Sequence, residues 1–371
     1  MVNWNHTLWV LFVLTTTVHG AELDDCRKLL KSGKYTDCIR ETAAAIKKRQ
    51  WGEDWSVIKA EAEQIIGDYE ASHLTVETGL KRYSSSIRLR MTGRQACLLL
   101  GDSEQAGKYL HEIERLASNA PWRYTDVEDL VTLGRAALVI GADARDVLDG
   151  FFDRARKRAP NHRLPYLAIG TLALEKHDSE LAANTFQKAI TQYPDDPDLY
   201  FGLAEAFASS DSQKSAISLA KTLELNPNHI PALLFKVDQF VDSEQYAEAH
   251  KWLVRIRTIN PHHFELWAYR AVLAHLENDP KGEIAFHNAA LTPWENNPQV
   301  DHLIGKKLSQ KYRFAEGAKY QRQALLIDMK YLPARIQLSQ DLLRLGKEEE
   351  GWLLADAAHR EDGYDVATFN L

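Results

Sequence analysis

The sequence has little proline, no excess of positive charge and no apolar run long enough to span a bilayer. Its twelve prolines in 371 residues sit where predicted helices meet. Lys and Arg number 45 against 52 Asp and Glu, a formal charge of −7. Nucleic-acid binding needs a basic patch or stripe. The short basic runs at 47–49 and 154–158 fall late in predicted helices, where cations suit the helix dipole. The phosphate-cradling pattern G-x-x-x-x-G-K-[ST] and the nucleophile pattern G-x-S-x-G are both missing. His111-Glu112 begins an H-E-x-x-H zinc motif, but Arg115 stands in place of the second ligand. His262 and His263 are adjacent, and neighbours one apart on a helix do not face the same way. His177 and His229 fall in turns and read as solvated polar residues. The nine tryptophans read as residues of packed slots or turns. No catalytic constellation, metal set or cofactor motif emerges, so the chain is expected not to be an enzyme and to carry no cofactor. Low-complexity stretches and long linkers are missing too.

What is present is a repeat. Between Arg163 and Pro194, Tyr166, Ile169, Gly170 and Ala173 lie on one helical face, and Ala182, Phe186 and Ala189 lie on another. Apolar residues three and four apart form such a face. His177-Asp178-Ser179 breaks the two helices, and Pro194 ends the second because proline cannot continue it. Gly170, Ala182 and Ala189 are small where antiparallel helices must touch. The Gly170 slot recurs at Ala204, Val237, Ala271, Gly305 and Ser339, in steps of 34, 33, 34, 34 and 34 residues. The closing prolines Pro160, Pro194, Pro227 and Pro261 step by 34, 33 and 34. The hairpin before the reference one is longer: Gly134 precedes Gly170 by 36, and the two extra residues are expected around Gly141-Ala142-Asp143. One hairpin cannot bury its own apolar face, so the copies must stack.

This pattern resembles the tetratricopeptide repeat, whose signature is W-x2-L-G-x2-Y, then A-x3-F-x2-A and a closing proline. The resemblance implies an all-α fold, a right-handed superhelical solenoid of about ten antiparallel helix pairs over residues 21–362. It also implies a scaffold that binds a protein or peptide on its concave face. In that family the first helix of each hairpin lines the concave face, at slots one and five residues after the Tyr166 position. The partner-binding residues it implies are Leu167, Thr171, Phe201, Glu205, Leu234 and Asp238. Leu167, Phe201 and Leu234 form a contiguous apolar line, which marks an interaction site when exposed; packing against neighbouring helices is the other reading, and the sequence leaves both open. Lys and Asn, which clamp a C-terminal carboxylate in one version of the fold, are missing from these slots.

Residues 1–20 read as a secretory signal peptide. Leu8 to Val18 is apolar, shorter than the roughly 20 residues a membrane span needs, and Val18-His19-Gly20 suits cleavage before Ala21. The n-region lacks Lys and Arg. The mature chain is expected to be exported, periplasmic or extracellular, with no membrane span left after signal removal. Cys26 takes the slot of Gly170 and Cys38 that of Ala182, which the family places at the closest helix approach. Export adds an oxidising compartment, so a Cys26–Cys38 disulfide is expected and Cys97 is left as a buried thiol.

A second resemblance covers the helical parts around GKYTDCIRETAAAI, VETGLKRY and HREDGYDVATFN. These are similar to secreted bacterial proteins in which such repeats precede a peptidase-MA-like zinc protease domain. The alternative it implies is that the chain is the front region of such a metallopeptidase, whose catalytic domain lies elsewhere. Residues 363–371, apolar at Tyr364, Val366, Ala367, Phe369 and Leu371, read as the start of a further helix or a C-terminal cap.

Overall fold

The structure is a computed structural model, and it describes residues 22–361. The expected signal peptide and the segment 363–371 lie outside the described residues. Among those described, all regular elements are helices, paired into ten antiparallel hairpins. The first three hairpins are α1 (Leu23–Lys31) with α2 (Tyr35–Lys47), α3 (Asp54–Ile66) with α4 (Tyr69–Arg82), and α5 (Ile87–Leu99) with α6 (Ser103–Asn119). The fourth pairs α7 (Val127–Ile140) with a helix in three pieces: α8 (Ala144–Val147), a π-turn (Leu148–Phe152) and α9 (Asp153–Arg158). Then come α10 (Arg163–Glu175) with α11 (Ser179–Ile190), α12 (Pro197–Ala206) with α13 (Ser212–Leu225), and α14 (Ile230–Asp242) with α15 (Tyr246–Ile259). The last three are α16 (Phe264–Leu276) with α17 (Pro280–Leu291), α18 (Pro298–Gln310) with α19 (Phe314–Ile327), and α20 (Leu332–Arg344) with α21 (Glu348–Glu361). The hairpins stack into a right-handed superhelix. No helix among the described residues is long and apolar enough to cross a membrane.

The helices pack through the small slots. Phe186 is buried between Gly170 of its own hairpin and Gly202 of the next. A Cβ at Gly170 would lie 2.4 Å from the Phe186 ring, and one at Gly202 would lie 2.3 Å from it. Two backbones therefore close on one aromatic ring, and a methyl group on either would force them apart. Most hairpin turns place one residue in the left-handed region, where side chains are disfavoured. Gly33, Gly67 and Gly101 do so with φ of 75°, 86° and 75°. Aspartates cap six of the second helices, as Asp178 does by accepting the Leu181 N–H at 2.9 Å.

The fourth hairpin differs from expectation. Only one of its two extra residues sits in the loop before Asp143, the N-cap of α8. The other is taken up by the π-turn at Leu148–Phe152, a single-turn bulge that adds one residue inside a helix. The bulge restores the phase that lets Phe152 reach Gly134, where a Cβ would lie 2.3 Å from the ring.

The expected disulfide is not formed. Cys26 and Cys38 are both buried thiols, as is Cys97. The two slots do meet, but the Cys38 thiol donates to the Cys26 carbonyl oxygen at 3.4 Å. Burial pushes the Cys38 thiol up to about 12, so it is not poised for thiolate chemistry. Trp55 is buried and Trp51 and Trp122 lie exposed in the connections between helices, whereas Trp352 departs from expectation, exposed on α21.

The superhelix turns tightly enough for its first hairpins to touch later ones. Asn226 donates from Nδ2 to the Tyr35 hydroxyl at 3.1 Å. Tyr35 donates in turn to the Asn228 carbonyl at 3.1 Å, and Asn228 Nδ2 donates to the Gly33 carbonyl at 3.1 Å. One repeat further on, Asn260 Nδ2 donates to the Tyr69 hydroxyl at 3.2 Å. Gly101 sits against Trp294 in the third tier. The contact thus repeats with the period of the array, and a solenoid that ordinarily has only neighbour contacts closes on itself.

Candidate functional site

Closure of the turn forms a half-open cavity of about 810 Å³, within the size range of ligand pockets. One wall comes from α1, α3 and α5, the other from the starts of α10, α12, α14 and α16. Those starts are set by the repeat. The N-caps His162, Asp196, His229 and His263 each follow a closing proline by two residues. Proline ends the preceding helix, and the polar residue two positions on begins the next, so each repeat delivers one polar group to the same ring.

Most of this ring is paired. Asp196 is buried and takes both Arg163, at 2.5 Å, and Lys31 from the first hairpin, at 2.8 Å. Arg163 also reaches Asp198 at 2.6 Å, and His229 Nε2 meets Asp198 at 3.2 Å. Burial opposes ionisation of Asp198, but the His229 bond and the Arg163 charge outweigh it and hold the carboxyl well below the usual range. His162 Nε2 lies 3.2 Å from Glu128, whose carboxyl it draws down to about 2. Across the cavity Asp54 binds Arg88 at 2.8 Å and Arg27 at 3.1 Å.

Glu61, Glu265 and His263 line the same cavity without such partners. Neither carboxylate makes a hydrogen bond or ion pair among the described residues. Glu265 is walled in enough that burial, with Asp238 second, pushes its carboxyl up to about 7. Glu61 is open to the cavity water, yet the surrounding walls displace enough bulk water to raise it against the pull of Arg88, Arg135 and Arg163. His263 Nδ1 is buried and has no hydrogen-bond partner, and burial lowers the ring to about 4, so it is neutral at pH 7.

The six residues expected to bind a partner lie elsewhere on the inner helices, and none lines this cavity. Thr171 and Glu205 are exposed, Leu167 and Phe201 are half-buried, and Leu234 is buried at 6% exposure. Leu234 packs into the core formed with α16, so the apolar line is not an open strip. Phe201 rests against His229 at 5.0 Å and Phe235 at 6.1 Å between ring centroids. Asp238 accepts from the Tyr269 hydroxyl at 2.6 Å and pairs with Lys307. Glu205 is open at the surface of its own helix and has no partner among the described residues, but the facing helices displace enough bulk water to raise its carboxyl. It follows Asp198 by seven residues on α12, two helical turns along the same face.

The sequence reading missed the N-cap ring and assigned His229 to solvent. His229 is in fact buried at 7% exposure, and its Nδ1 accepts the Ala232 N–H at 3.1 Å. The signal was present in the polar residue two positions after each closing proline. His177, by contrast, is exposed in its turn. No group of three His, Cys, Asp or Glu among the described residues is arranged to hold a metal ion.

Comparison with known proteins agrees with the architecture. Over 98 residues the chain is 26% identical to Superkiller protein 3 of Saccharomyces cerevisiae, a match covering 26% of this chain and 7% of that much longer protein. Among solved structures it is similar to the APC/C hetero-tetramer Cut9–Hcn1, with a TM-score of 0.52 and 13% identity, covering 93% of this chain and 67% of that one. It also aligns with yeast Tom70 at a TM-score of 0.41 and 14% identity, over 94% of this chain and 95% of that one. Residues 167–229 match the tetratricopeptide repeat family, and the chain carries a solenoid fold of that kind.

Proposed function

We propose that the chain is an exported interaction scaffold that holds a segment of a protein or peptide inside its superhelix. The observation that carries this reading is the cavity of about 810 Å³, closed by contacts between hairpins about 190 residues apart in sequence. Its lining mixes apolar side chains with a few polar groups, as ligand sites do. The exposed Thr171 and Glu205 and the half-buried Phe201 lie outside this lining, on the inner helices. The Cut9–Hcn1 structure is itself of a hetero-tetramer, an assembly of proteins. Export rests on the character of residues 1–20.

A photo-crosslinking residue tests the location. Placed at Gln95, in the cavity wall, it should capture a bound peptide selected from a random library. Placed at the exposed Ile284 of α17, it should not. Capture from Ile284 with none from Gln95 would move the site to the outer surface. N-terminal sequencing that finds Met1 on a cytosolic protein would end the export part.

A further inference from the structure

We propose that the central cavity receives a lysine or arginine side chain of the bound polypeptide, its cationic head held at the unpaired carboxylates of the lining, Glu265 first and Glu61 second. This deepens the scaffold reading and rests on it.

The argument begins with a difference between equivalent positions. His162, His229 and His263 are N-caps in the same register. The first two use both ring nitrogens: Nδ1 accepts a backbone N–H of its own helix, Leu164 at 3.4 Å and Ala232 at 3.1 Å, and Nε2 meets a carboxylate, Glu128 or Asp198, at 3.2 Å in each case. His263 makes no cap bond and meets no carboxylate among the described residues. Its ring lies flat beside Phe264, 5.7 Å between centroids and 11° between planes, which leaves Nδ1 buried and unbonded. Buried polar atoms in folded proteins are nearly always bonded, and each exception calls for an explanation.

Two residues on, Glu265 is also without a partner. A half-buried carboxylate is costly unless a cation or donor meets it, and the other acidic groups of the cavity lining, Asp54, Glu128 and Asp198, all have one. Glu61 adds a second unpaired carboxylate. Of the three arginines it senses, Arg88 and Arg163 are already engaged by aspartates, and Arg135 does not line the cavity. The vacant hydrogen-bonding capacity of the cavity is therefore on the acceptor side. Beside it are Ile65, Leu99, Ile230 and Phe264, an apolar surface. A lysine or arginine side chain has an apolar stem and a head made only of donors. A bare metal cation would leave the apolar wall unused, and an anionic segment would face the carboxylates.

A random dodecapeptide library displayed on phage and selected on the folded chain tests this. Selected peptides should be enriched in Lys or Arg. Acetylating the lysine, or exchanging arginine for citrulline, should weaken binding about tenfold or more, as loss of a charge-assisted bond does. Glu265→Gln, with Glu61→Gln as a second variant, should weaken binding similarly while each variant keeps the wild-type helical signal. The change made on the peptide needs no protein variant to fold. Selection without basic enrichment, or indifference to lysine acetylation, would overturn the proposal. If such peptides still crosslink from Gln95, the scaffold reading stands and the cationic reading alone falls. Failure to select any peptide that reaches the cavity would remove both. Free spermidine competing as well as the peptide would show that a small polyamine, not a polypeptide, is the ligand.

Discussion

Asn226 and Tyr35 are 191 residues apart in sequence and share a 3.1 Å hydrogen bond from amide to phenol. Both groups are buried from bulk water, and burial pushes the Tyr35 phenol up to about 12 although the Asn226 bond eases it back. The bond joins the first hairpin to the sixth, and its counterpart between Tyr69 and Asn260 joins the second to the seventh. These contacts turn an open superhelix into a wall around a cavity.

Gly33 makes the closest approach in this seam. Its φ is 75°, and a Cβ there would lie 2.2 Å from Asn226 Oδ1. Gly346 has φ 74° with nothing within 4 Å of its Cβ position. Gly346→Ala therefore costs only the left-handed strain, about 1–2 kcal/mol. Gly33→Ala adds a clash in the seam and should cost more. Chemical denaturation of the pair separates the two contributions; equal losses would mean that the seam is not packed as described.

The fold was legible because spacing carries it. Gly170, Phe186, Pro194 and their echoes state the helix pairs, their contacts and their ends without reference to anything distant. The seam was not legible. Nothing near Tyr35 indicates Asn226, since which tiers meet depends on the accumulated rotation of five hairpins. The inner surface was read in part. Glu205 and Thr171 do face outward from the packed layer, but Leu234 does not, because α16 covers it. Slot position says which way a side chain points, not how close the next hairpin comes. His229 was misassigned for a related reason: a turn residue is solvated in an open solenoid and buried in a closed one.

Leu234 and Phe201 separate core from surface. Leu234→Ala should cost about 2–5 kcal/mol, as expected for a buried large-to-small change. Phe201→Ala should cost less, since the ring is half-buried. Thermal melts of the two variants check this. A small loss at Leu234 would restore the open apolar strip.

Glu265 sets a pH dependence whose sign can be worked out. An unfolded glutamate ionises near 4.3, and in the fold this one is held up to about 7. The folded state then binds a proton that the unfolded state has released, so stability falls as pH rises through this window. Neutral His263 and His302, both lowered to about 4 by burial, work the other way: stability falls as pH drops from about 6.5 towards 4. Glu265→Gln isolates the carboxyl. The variant should melt above the wild type at pH 8, and the gap should close at pH 5. A gap that does not change with pH would show that the carboxyl is solvated in the fold.

Closure of the superhelix is measured most directly by a double-mutant cycle on Tyr35 and Asn226. Tyr35→Phe, Asn226→Ala and the pair are compared by native-state hydrogen exchange in α2, which reports local opening. In an open solenoid, hairpins five places apart do not interact, and the two changes add. In the closed turn they share one buried hydrogen bond, and the cycle should return a coupling of about 0.5–1.5 kcal/mol. A coupling indistinguishable from zero would contradict the closed turn and, with it, the cavity.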